Sequence, residues 1–381
     1  MLRVFSYQLR SVLRCAATLG LAALFGGAIY VGDIDTITPQ QGPYQLQVPV
    51  KFGPAFRIPD DNPLTYEGIE LGRMLFYEKK LSADNTISCG TCHQQSLAFS
   101  DGKAFSDGIR GSKTKRSTIP LSNLLWKFKF FWDGRASSLE EQALIPIQDS
   151  LEMHLTLDEA VSKLQNTRTY PPLFKQVFGS DQITAANIAK AISQFERVMI
   201  SSNSRYDKFL RGELQLTEQE KIGMDLFMTH PLPENKLRGG NCGDCHGSFK
   251  ISLHGIHNNG LDLEPQDRGR ELITGKVTDR GKFRAPSLRN IALTAPYMHD
   301  GRFQTLEEVV DHYNDHIQAS ATLDPLIIEA SNQVGGKSLL LTPAEKKAII
   351  AFMKTLTDST FITDERFSDP FIKVDKRKKK S

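Results

Sequence analysis

The sequence predicts an all-α protein built twice over, with long loops and little strand, and three observations carry that prediction. Helix-opening signals recur along the chain, apolar residues follow them at helical spacing, and the second half repeats blocks of the first. Thr156 with Glu159, Thr217 with Glu220 and Thr305 with Glu308 each match a capping box, in which two side chains three residues apart satisfy each other's backbone N–H groups. Pro343 after Thr342 opens a last helix expected to reach about Leu356, since proline at the first helical position sacrifices no hydrogen bond. Ile188, Ile192 and Phe195 lay an apolar stripe on a helix between Thr184 and Met199. The polar, Gly-rich run from Asn258 to Lys282 reads as a long loop.

The repeat is explicit. Gly72-Arg73-Met74-Leu75-Phe76 is echoed by Gly223-Met224-Asp225-Leu226-Phe227. Trp132-Asp133-Gly134-Arg135 and Ser138-Leu139-Glu140-Glu141 return as His299-Asp300-Gly301-Arg302 and Thr305-Leu306-Glu307-Glu308, both shifted by 167 positions. Duplication of one small domain explains this. A boundary near Arg211–Thr217 gives an N-terminal domain over 56–213 and a C-terminal domain over 214–365, with a linker over 33–55 and a basic tail over 366–381.

Composition narrows the setting. The 381 residues, 40% of them hydrophobic, can bury two cores, and a net charge of +3 is too mild for a nucleic-acid partner. The lysine-rich run Lys376–Lys380 reads first as a solvated tail, with anionic lipid or an acidic partner as the lesser readings. Arg3, Arg10 and Arg14 precede an apolar stretch from Cys15 to Gly32, the layout of an export signal over 1–32. It is either cleaved after small residues such as Gly26 and Ala28 or kept as a membrane anchor. Either way the bulk of the chain is expected to be exported, to the periplasm. Arg14 directly before Cys15 argues against a lipoprotein cysteine.

The other four cysteines form Cys89-Gly90-Thr91-Cys92-His93 and Cys242-Gly243-Asp244-Cys245-His246. C-x-x-C-H is the attachment signature of c-type haem: two thiols bond the haem vinyl groups and the histidine ligates the iron from below. A Cys₄ zinc site, a redox dithiol and a disulfide framework also use paired cysteines, but none explains a histidine after the second cysteine both times. The expectation is two cytochrome c-like haem domains.

Function then depends on the far side of each iron, where a strong ligand makes an electron carrier and an open position makes a catalyst. On the helix after Thr305, Leu306, Val309, Val310, Tyr313 and Ile317 form the inward stripe, while His312 and His316 fall toward the polar side with Glu308 and Asp315. Tyr313 is thus either a core tyrosine or a ligand to the second iron. Shifted back by 167 it becomes Pro146, which has no donor atom, and no histidine lies between His93 and His154. The first iron is expected to be open to peroxide. Gln142 and Glu152 flank Pro146, and a carboxylate there would relay the peroxide proton, although a lone glutamate is more often a surface group. Trp132 is either a core indole or an electron relay between the haems.

These residues resemble the bacterial di-haem cytochrome c peroxidases and their MauG-like relatives over about Leu64 to Leu356. The resemblance is carried by Leu81–Ser88 ahead of the first haem motif, Phe130–Arg135, Pro286–Asn290 and Ala295–Arg302. It implies that Trp132 lies between the haems and that Glu152 is the distal-pocket acid, with Gln142 and Pro146 beside it. It also implies a calcium ion held by Thr294 and Pro296, with Ser117 where the family usually has Asn. Members of the peroxidase branch carry Met at the position of Tyr313 and a distal His after the first haem motif. Both are missing here, as in the MauG-like branch, whose peroxide-derived high-valent haems oxidise Trp or Tyr side chains of a partner protein. The tryptophan that MauG places just before its second haem motif is Gly240 here. Three functions follow: a peroxidase fed by a small cytochrome c or cupredoxin, a MauG-like oxidase of a protein substrate, and, less favoured, a plain electron-transfer cytochrome.

Overall fold

In the computed structural model, residues 40–247 and 255–372 are described. The leader read over 1–32, including Cys15, and the Lys376–Lys380 run lie outside them. The helices are, in chain order, α1 (Tyr66–Tyr77), α2 (Cys89–Cys92), α3 (Leu139–Gln148), α4 (Leu157–Gln165), α5 (Tyr170–Phe178), α6 (Ala185–Arg197), α7 (Arg205–Leu210), α8 (Glu218–Met228), α9 (Gly243–His246), α10 (Glu271–Thr274), α11 (Leu306–Asp315), α12 (Pro325–Ile328) and α13 (Pro343–Lys354). Two short antiparallel strands, β1 (Ile256–His257) and β2 (Phe283–Arg284), are the only sheet among the described residues. The all-α expectation with little strand holds. None of the described helices is long and apolar enough to cross a membrane.

Thr156, Thr217, Thr305 and Thr342 each cap their helix through a reciprocal bond with the glutamate three residues on, and Thr184 caps α6. The Asn258–Lys282 run holds only α10 and a 3-10 turn at Val277–Asp279 beside its coil.

Each half is built on one close helix crossing, α1 on α6 and α8 on α13. Gly72 and Gly223 make it feasible. A Cβ on Gly72 would sit 1.9 Å from the Ala191 carbonyl oxygen, and one on Gly223 would sit 1.8 Å from that of Ala348. Around the crossings, Leu71, Leu75, Ile188 and Ile192 fill one core and Phe227, Ile349, Phe352 and Met353 the other. α3 packs on α6 as α11 packs on α13. Both ends of α3 map onto the ends of α11 with the same 167-residue shift. So do the bridges ahead of them, Phe130 to Ala136 and Tyr297 to Phe303.

The lobes meet through contacts that mirror one another. Ser117 N–H donates to the His299 carbonyl (2.8 Å), and Arg284 N–H to the Trp132 carbonyl (2.7 Å). Ser117 Oγ donates to the Met298 carbonyl (2.7 Å), and Arg284 Nε to that of Phe131 (3.1 Å). Shifting either set by one repeat yields the other. Trp132 and His299, themselves one repeat apart, meet edge to face at 6.4 Å. Within the second core, where α7 packs on α13, a buried fork from Arg289 to Asp207 (2.7 and 2.8 Å) forms an ion pair whose breakage would strand a charge. After α13 the chain returns to the first lobe, where Phe361 and Phe367 bury against Phe99 and Phe195.

One sequence expectation fails. His312 is not on the polar side of α11 but is 3% exposed, with Nε2 3.0 Å from the Asn259 carbonyl. The loop carrying Asn259 covers that flank of the helix, which periodicity could not reveal. His316 stays exposed.

Candidate haem sites

The two cysteine motifs open into different cavities. The first, about 930 Å³, is lined by Cys92, His93, Trp132, Gln142, Pro146 and Glu152 among others. The second, about 660 Å³, is lined by Cys242, Cys245, His246, Tyr313, Thr294 and Pro296 among others. Both volumes fall in the range that accommodates a cofactor. The separation excludes one shared Cys₄ zinc site, and no cluster of three or more His, Cys, Asp or Glu fit to hold an ion occurs among the described residues. No disulfide joins any of the four cysteines. Burial pushes Cys92 and Cys242 up to about 12 and Cys245 to about 11. Acidic neighbours such as Asp101, Asp324 and Asp244 reinforce this, the opposite of a redox dithiol's electropositive setting.

Each motif forms one helical turn, α2 or α9, so its two thiols stand on one face with the histidine beside them. Nδ1 of His93 lies 2.8 Å from the Phe99 carbonyl, which fixes the ring and leaves Nε2 as the nitrogen that could ligate a metal. Burial holds both histidines below their ordinary value, His246 at about 4, so each is the neutral imidazole that ligation requires. Nδ1 of His246 is buried and makes no sound hydrogen bond, although the Pro286 carbonyl on that side favours its proton. The chain therefore suits two separately attached haems.

The first cavity has no methionine in its lining and no histidine other than His93; His154 is exposed. Pro146 sits inside α3, where it can offer neither a ligand nor the N–H that would bond the Gln142 carbonyl. Glu152, in the turn after α3, is pushed up to about 7, chiefly by burial and then by the charge of Asp149, with Arg135 opposing. That value suits a group that must both take and give a proton near neutrality.

In the second cavity Tyr313 occupies the position on α11 that Pro146 holds on α3. Burial pushes its phenol up to about 12, while Asn259 Nδ2, donating to Tyr313 Oη at 3.0 Å, pulls the other way. The same amide lies 3.5 Å from Met298 Sδ. The other side chains at hand are engaged: His312 on the Asn259 carbonyl and His299 stacked on Phe283 at 3.8 Å.

Trp132 lines both cavities, and its Nε1 donates to the Ser117 carbonyl at 2.8 Å. Ser117, Thr294 and Pro296 line the second cavity together. A hydroxyl and two carbonyls are hard, uncharged oxygen donors of the kind calcium takes. At Gly240 a Cβ would meet the flexible end of Ile349, Cδ1, at 2.9 Å, so a larger residue there would require that side chain to shift. Asn259 and Arg284, which also lines both cavities, were not singled out by the sequence. Both lie in or beside the coil, where no periodicity marks an inward side chain.

Comparison with known proteins agrees. The family profile for di-haem cytochrome c peroxidase matches residues 66–215. The methylamine utilization protein MauG of Methylophilus methylotrophus is 33% identical over 301 residues, 78% of this chain and 84% of the relative. Cytochrome c551 peroxidase of Nitrosomonas europaea is 33% identical over 76% of this chain and 79% of its own. A crystal structure of a MauG-like protein associated with microbial copper homeostasis superposes with a TM-score of 0.77 at 38% identity, over 86% of this chain and all of the other. By sequence and fold alike, the chain belongs to the di-haem cytochrome c peroxidase and MauG family, oxidoreductases that carry two haem c groups.

Proposed function

We propose that this is an exported di-haem peroxidase that reduces hydrogen peroxide in the cavity of His93, with electrons arriving through the haem held by His246 from a small cytochrome c or cupredoxin. The observation that carries the reading is the first cavity: one candidate iron ligand, and a buried carboxyl near pKa 7 beside the Pro146 position. When bound, haem supplies the redox chemistry by which peroxide, two electrons and two protons become two waters. Glu152 would accept the proton of the attacking peroxide oxygen and return it to the departing one, with the Gln142 amide orienting the peroxide. Trp132 would relay electrons across the wall that it shares between the cavities. Tyr313 would close the second site, held by Asn259. Thr294, Pro296 and Ser117 would hold calcium at the lobe interface, with a structural role. The haem domains are assigned to 56–213 and 214–365.

A second reading has its own support. As a ligand to the second iron, Tyr313 would favour its oxidised states, which would suit oxidation of Trp or Tyr side chains on a partner protein. Spectroscopy of the ferric protein before and after one equivalent of peroxide tests what both readings share. A high-spin component that reacts is expected; only low-spin haem, inert to peroxide, would refute it.

A further inference from the structure

Four residues line both cavities, Ser117, Thr118, Trp132 and Arg284, and only Arg284 is charged. It is 7% exposed. Its Nε is committed to the Phe131 carbonyl, and no carboxylate pairs with it among the described residues. Burial alone sets its acidity, drawing it down to about 10. Other arginines near the interface are neutralised: Arg116 by Asp133 and Asp267, Arg135 by Asp133, Arg289 by Asp207. A buried guanidinium without an anion is rare and costly. The mirror position holds neutral Ser117, whose hydroxyl reproduces the bond from Arg284 Nε, to Met298 instead of Phe131. Arginine is therefore not needed for that bond. Its terminal amino groups are the excess, on a residue that lines both cavities.

A haem brings two anionic groups, its propionate carboxylates, and a guanidinium fork matches a carboxylate in two parallel hydrogen bonds. We propose that Arg284 is a positioning residue that clamps a haem propionate at the wall between the cavities, and that its charge raises the reduction potential of the haem it holds. The inference rests on the two-haem assignment, not on the peroxide chemistry.

The test uses the haem-loaded protein. Arg284→Gln should retain two haems by pyridine haemochrome assay, while at least one reduction equilibrium shifts tenfold or more toward the ferric state, about 59 mV for one electron. Arg284→Lys, which keeps the charge, should recover most of that shift. Two retained haems with both potentials unchanged in Arg284→Gln would overturn the proposal. Should that variant fail to mature, a crystal structure of the unmodified holoprotein decides. A propionate oxygen within hydrogen-bond distance of the guanidinium is expected, and Arg284 turned to solvent or to a protein carboxylate overturns it. Peroxide reactivity, measured separately, shows whether the proposed activity fails while the clamp stands.

Discussion

Removing the ionisable group at Glu152 should change both the rate and the pH profile of peroxide cleavage. Its carboxyl lies about 2.5 pH units above the ordinary 4.5, and at ~1.4 kcal/mol per unit about 3 kcal/mol opposes its ionisation. Only the carboxylate can accept the peroxide proton. With a pKa of about 7, roughly one molecule in eleven is competent at pH 6 and ten in eleven at pH 8, so the rate should rise about tenfold across that window. Glu152→Gln should lower the rate by ~10²–10⁴ and abolish the rise. Stability adds a second readout. The folded pKa is raised, so the folded state holds the extra proton, and this group's contribution declines as pH climbs from about 4.5 through 7. Glu152→Gln should therefore gain up to about 3 kcal/mol relative to the parent at pH 8 compared with pH 4. Stopped-flow mixing of ferric protein with peroxide from pH 5.5 to 8.5, beside thermal melts, provides both measurements. A variant with the parental rate and inflection would remove Glu152 from the mechanism.

Tyr313→Met should raise the potential of the second haem by roughly 0.1 V or more, since axial ligands command a range of about 0.8 V; spectroelectrochemistry showing no change would make Tyr313 a core residue only. Trp132→Phe should leave both haems attached but slow electron transfer between them by about tenfold or more, read by reducing one haem and following the other; an unchanged rate removes the relay. Gly72→Ala should lower stability by about 1–3 kcal/mol, because its new methyl would strike the Ala191 carbonyl and push α1 from α6. A melting temperature equal to the parent's would show that the crossing can open freely.

The paired cysteine motifs, the duplication and the matching positions of Pro146 and Tyr313 were legible because each leaves a mark in linear order: a fixed spacing, a constant shift, a helical period. Helix starts were equally readable, since a threonine with a glutamate three places on is a local hydrogen-bonding unit. What escaped notice depends on coil. His312 was placed by its angle on α11, but the loop bearing Asn259 covers that flank. Asn259 and Arg284 acquire meaning only when distant segments fold together, one over α11 and the other between two cavities. No period or motif encodes such a meeting.

The mirrored bonds of Ser117 and Arg284 are those of a twofold dimer, in which residue i of one subunit meets j of the other and j meets i. Two identical, unlinked subunits would have to carry the same residue at both positions. Two serines would leave the wall uncharged. Two arginines would sink like charges side by side with twice the demand for anions. Joining the copies in one chain lifts that constraint, because each can then mutate alone. One polypeptide can thus line two cavities with different chemistry across a seam whose backbone geometry is still that of equals.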